Sequence, residues 1–109
     1  VKIMHLHFDD YKNNAPGATG WTLDRQKFNQ AFIPFHPGAI RYYKEIGAWD
    51  DAAQKQNESN LERQAVLASA WSGFVSSAPE DYDEFQKGWL VAREKALTQA
   101  NLITLGQGL

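Results

Sequence analysis

Residues 61–100, LERQAVLASAWSGFVSSAPEDYDEFQKGWLVAREKALTQA, decide the fold class. In the first half of this run Leu61, Ala65, Ala68, Trp71 and Val75 recur three or four apart, with Leu67 and Phe74 beside them, which is the spacing of one helix face. From Asp50 to about Ser76 there is no Pro and one Gly, so a single long helix is predicted, with its Gln-, Asn- and Glu-rich first two turns in water. Ser77 and Glu80 stand at the S-x-x-E spacing of a capping box, and Pro79 falls where an opening helical turn tolerates it. A second apolar line through Tyr82, Phe85, Trp89, Ala92 or Arg93, and Ala96 extends to about Ala100. Glu80, Asp81, Asp83 and Glu84 crowd its start and Arg93 and Lys95 lie nearer its end, as the helix dipole favours. So short a link makes the two long helices antiparallel. The expected fold class is therefore mainly α.

Upstream the chain is more broken. VKIMHLHFDDYK, residues 1–12, sets Met4, Phe8 and Tyr11 at helical spacing, with a strand over the first seven residues as the competing reading. NNAPGATG, residues 13–20, holds the Asn, Pro and Gly of a loop. A short helix is predicted from about Thr22, as N-cap, to Gln30. Two prolines three apart then force IPFHPG into an extended path. Pro37 suits the first turn of a further helix that closes at Gly47, the usual left-handed cap. That helix puts Ala39, Tyr43 and Ile46 on one side and Arg41, Lys44 and Glu45 in water. The whole reads as a single helical domain or C-terminal segment, with short helices and loops over 1–49 and a long helical hairpin and tail over 50–109. The last residues, LITLGQGL, form a short docked arm or fray.

At 109 residues one core is the expectation. Eleven Lys and Arg against thirteen Asp and Glu, a net charge of −2, argue against a nucleic-acid partner. Cysteine is absent, which removes disulfides and thiolate metal sites but leaves the compartment open. No apolar run reaches the roughly 20 residues of a membrane span. The N-terminus shows no signal-peptide pattern and begins at Val1 within amphipathic sequence, so the chain is expected to be a processed or excised portion of something longer.

Chemistry is sparse. His5 and His7 share a face only on a strand, and with His36 far away they match no metal-ligand spacing, so surface or capping roles are expected and no metal or other cofactor. His36 is placed to accept a free amide of the helix that follows. Asp9 and Asp10 read as the polar end of a helix and not as an acid–base pair. No nucleophile elbow or phosphate loop is present, and no catalytic residue is assigned. Trp71, Phe74, Phe85 and Trp89 have the form of an aromatic box, yet at helical spacing they read as core. Arg41 carries the fork that clamps a carboxylate.

Residues 33–50, IPFHPGAIRYYKEIGAWD, go further. This run resembles the signature near the C-terminus of TAXI-type solute-binding proteins, the periplasmic receptors of one class of TRAP transporter, in which P-x-H-P-G-A-x-x-Y-y-k-E-x-G precedes the final helices. Pro34, His36, Pro37, Gly38, Ala39, Tyr42, Tyr43, Lys44, Glu45 and Gly47 supply it here. The resemblance implies part of a two-lobed α/β periplasmic receptor that binds small organic acids or amino acids and delivers them to TRAP membrane subunits. The sheet framework and most ligand contacts would lie in sequence this chain lacks, and the segment itself would be mainly structural. The candidates for ligand binding are His36, Arg41 and Tyr43. The alternative is a stand-alone helical protein–protein interaction module, with self-association as its signature; a small enzyme ranks third, for want of convergent ionisable groups.

Overall fold

A computed structural model describes residues 1–105 of the chain and contains helices and 3-10 turns, with no strand among those residues. The fold is mainly α, as predicted. Two compact units divide it, Val1–Glu58 and a second from Ser59 onward, and the division falls inside the longest helix.

The first unit opens with α1 (Lys2–Leu6) and α2 (Phe8–Tyr11), a helical path that bends at His7 and excludes the strand reading of residues 1–7. The predicted helix over 22–30 does not form. Two separate 3-10 turns, Leu23–Arg25 and Phe28–Gln30, take its place, with Gln26 extended between them. Thr22 caps nothing; its side chain hydrogen-bonds Asp24, holding that exposed carboxyl below its usual pKa. The reason is tertiary. Phe28 packs on Phe35, Tyr43 and Trp49, at centroid distances of 5.7, 4.5 and 5.7 Å, and Leu23 and Phe28, five apart, do not share one helical face.

After the extended 31–36 stretch comes α3 (Pro37–Glu45), which buries Tyr42 and Tyr43. Gly47, at φ 69°, closes it: Ala48 N–H donates to the Tyr43 carbonyl and Gly47 N–H to that of Lys44, the two bonds of a Schellman cap. Asp50 then caps α4 (Asp51–Val75), accepting the Ala53 N–H at 2.7 Å. Its opening turns are wet on one side, as predicted, and buried on the other. Ala53, Asn57 and Asn60 are among the most buried residues of the chain. Asn57 Oδ1 accepts the Phe35 N–H at 2.8 Å, and Gln56 Nε2 donates to the Ala31 carbonyl. These amide side chains satisfy an extended backbone that has no sheet to join.

In the second unit α4 packs antiparallel on α5 (Tyr82–Gln99), because Phe74 meets Phe85 while Trp71 meets Trp89. Its inward face is not the predicted line. Asn60, Arg63, Leu67, Ala70 and Phe74 are buried or half-buried, whereas Leu61, Ala65, Ala68 and Val75 are exposed. Gly88 sets the close approach: a Cβ there would stand 3.0 Å from the Phe74 ring. Along α5 the predicted line holds from Phe85 to Ala96, but Tyr82 is exposed and Leu97 is the buried anchor.

The capping box sits four residues later than predicted. Asp81 accepts the Glu84 N–H at 3.0 Å, at the same three-residue spacing, while at the end of α4 the Ser76 hydroxyl donates to the Gly73 carbonyl and the Ser77 backbone N–H to that of Phe74. Pro79 therefore lies ahead of the helix, not within it. A second Schellman cap ends α5, with Asn101 left-handed at φ 55° and Leu102 N–H on the Leu97 carbonyl. Arg93 donates to the Leu105 carbonyl, which docks the described part of the predicted arm; its last four residues, 106–109, lie outside the described residues.

Candidate functional site

The stretch 33–50 builds one helix together with its caps. His36 is extended, and its Nδ1 accepts the Gly38 N–H at 3.0 Å, the capping role expected of it. Pro37, which has no N–H to leave unpaired, takes the first helical position. Gly38 leaves room for the imidazole, since a Cβ there would lie 3.2 Å from His36 Nδ1. Tyr42 and Tyr43 are 5% and 7% exposed, so the aromatic pair of the signature is core.

The three candidate ligand residues do not converge. His36 and Arg41 line a shallow groove of about 550 Å³ whose other wall is the start of α1, with Lys2, Tyr42 and Glu45 also facing it. Lys2 pairs with Glu45 and lies 5.4 Å from the centre of the Tyr42 ring. The hydrogen bond to Glu45 raises the pKa of its ammonium. This ion pair offsets the two charges, and Arg41 forms no ion pair with any described residue. Tyr43 lies apart from that groove. It borders a smaller pocket of about 100 Å³ with Val1, Met4, His5, Trp21, Leu23 and Gln26.

The other histidines have structural partners. His5 Nδ1 meets the Tyr42 hydroxyl at 2.7 Å, a link between α1 and α3 that no local sequence pattern announces. His7 pairs with Asp10 at 2.9 Å and Lys12 with Asp9. Among the described residues no group of three or more His, Cys, Asp or Glu is placed to hold a metal ion, and no helix is long and apolar enough to cross a membrane. The Trp71, Phe74, Phe85 and Trp89 rings contact one another at 4.9 to 6.4 Å and hold the hairpin together. No family profile, curated protein or solved structure matches the chain.

Proposed function

We propose that this chain is the C-terminal segment of a TAXI-type solute-binding receptor of a TRAP transporter, a periplasmic protein, and that the segment is a brace and not a ligand trap. One observation carries the reading: the residues of the signature are consumed in construction. His36, Pro37 and Gly38 start α3, Tyr42 and Tyr43 fill the core, and Gly47 ends the helix. On this reading the small organic acid or amino acid is held by the full-length receptor and passed to the TRAP membrane subunits, and the segment has no catalytic step.

A second reading, a helical interaction module, draws support from the outer face of α4. Leu61 and Val75 are 50% and 46% exposed there, with Ala65 and Ala68 between them. A stripe of that kind is what a partner or a second copy would cover.

Calorimetry with dicarboxylates and amino acids separates these. A ligand's charged ends must meet several converging donors before desolvation is repaid, and here His36 is committed to its cap while Arg41 stands in an open groove. The expected result is weak or no binding by residues 1–109 and saturable binding by a longer protein that contains them. Tight binding by residues 1–109, lost in Arg41→Ala, would reject the brace. Concentration-dependent self-association with no ligand response in either protein would favour the module.

A further inference from the structure

Residues 1–12 are tied to one another more closely than to the rest of the first unit. The Tyr11 hydroxyl donates to the Met4 carbonyl at 3.0 Å, and the Tyr11 ring meets that of Phe8 edge-on at 5.4 Å. His7 pairs with Asp10 and Lys12 with Asp9. The bond from Tyr11 to Met4 crosses the bend at His7, so α1 and α2 hold each other in place.

Outward, the polar and ring contacts end on one helix, α3. Lys2 pairs with Glu45 and faces the Tyr42 ring, and His5 Nδ1 meets the Tyr42 hydroxyl at 2.7 Å. No other hydrogen bond, ion pair or ring contact joins residues 1–12 to a described residue beyond Asn14. None of these ties involves Val1.

Apolar packing adds little to them. Neither α1 nor α2 contains a buried residue, and Ile3 and Leu6 are exposed. Hollows of about 100 and 290 Å³ are walled by the segment and by Trp21 and Leu23, and the groove of about 550 Å³ lies between its start and α3. Atoms beside a gap lack dispersion partners. Segments with so few buried apolar contacts open at low free energy.

We propose that residues 1–12 are a strap latched on α3 at Tyr42 and Glu45, which releases as one cooperative unit and bares that side of α3. The released form falls in the range of ordinary minor states, about 0.1–10% of molecules. With five residues, α1 is too short to persist alone in water, so it loses its turns when the latch opens. The Tyr42 hydroxyl and the Glu45 carboxylate are then both uncovered. This holds for a receptor segment and for an interaction module alike.

Chemical-exchange NMR on the backbone amides of the 109-residue protein distinguishes a strap from a frayed end. A strap gives residues 2–11 one exchange rate and one open population, whereas fraying gives values that fall steadily from residue 2 to residue 11. Tyr42→Phe keeps the buried ring and removes the latch hydroxyl. It should raise the open population about three- to tenfold, the worth of one hydrogen bond. The rise should reach Phe8 and Tyr11, although neither has a hydrogen bond or ring contact with Tyr42. Glu45→Gln, a change at an exposed site, should raise it by up to about fivefold. Amides of α3 should keep their wild-type behaviour in both variants. A graded profile, a Tyr42→Phe effect confined to α1, or no exchange even in the Tyr42→Phe, Glu45→Gln double variant would each overturn the proposal.

Discussion

His36 and Asn57 each accept one backbone N–H, and their surroundings set different costs for losing it. His36 is exposed, so in His36→Ala water replaces the imidazole at Gly38 N–H; the loss should be about 1 kcal/mol, and His36→Asn, another N-capping residue, should recover most of it. Asn57 is 5% exposed and receives the Phe35 N–H. Asn57→Ala leaves that amide without a partner in a place water reaches poorly, at about 1–3 kcal/mol. Thermal melts of the three variants should rank Asn57→Ala lowest, and a larger drop for His36→Ala would contradict this account. His36 was legible because a residue ahead of Pro-Gly at a helix start has few other tasks. Asn57 was not: in KQNESN it is indistinguishable from a hydrated residue, and only the unpaired backbone of 31–36, far off in sequence, requires it.

Helices were legible as helices, and their faces and starts less so. The long apolar lines and the single Gly made α4 and α5 visible, but along α4 alanines lie on two sides, and the choice between them is made by Phe74 and Trp71 meeting Phe85 and Trp89 of α5, which lie outside any local window. The capping register was ambiguous because S-A-P-E and D-Y-D-E have the same spacing. The early 3-10 turns were hidden for a further reason, since the pull on Phe28 comes from Trp49 and Phe35. Gly88 shows how packing and propensity oppose each other in one element. Ala is the better helix former by about 1 kcal/mol, yet its Cβ would press on a Phe74 ring already hemmed by Trp71, Phe85 and Trp89, and overpacking costs about 1–3 kcal/mol. Gly88→Ala is therefore expected to lower the denaturant midpoint. The paired change Phe74→Leu in that background should recover part of the loss, and a plain gain in stability from Gly88→Ala would show that the ring moves freely.

For the molecule as a whole, pH acts most clearly on the first unit's alkaline side. Burial raises the Tyr43 pKa, and the hydrogen bond to Glu45 raises that of Lys2. Each contribution is fully present below the ordinary value of its group and is lost as pH rises through the raised one. Melting temperature should hold up to about pH 9 and then fall as the unfolded chain's tyrosines and lysines release protons first. Tyr43→Phe, measured from about pH 8 to 11, should flatten that fall; an unchanged slope would remove Tyr43 from the explanation. The second unit can be followed separately by light. Trp71 and Trp89 stand edge to face, 4.9 Å apart and 84° between planes, and no other two tryptophans are in ring contact among the described residues. Indoles so close couple their ultraviolet transitions, so the hairpin carries its own exciton signal in circular dichroism, a built-in optical gauge that reads the closure of α4 on α5 and is silent about Tyr43 and its neighbours.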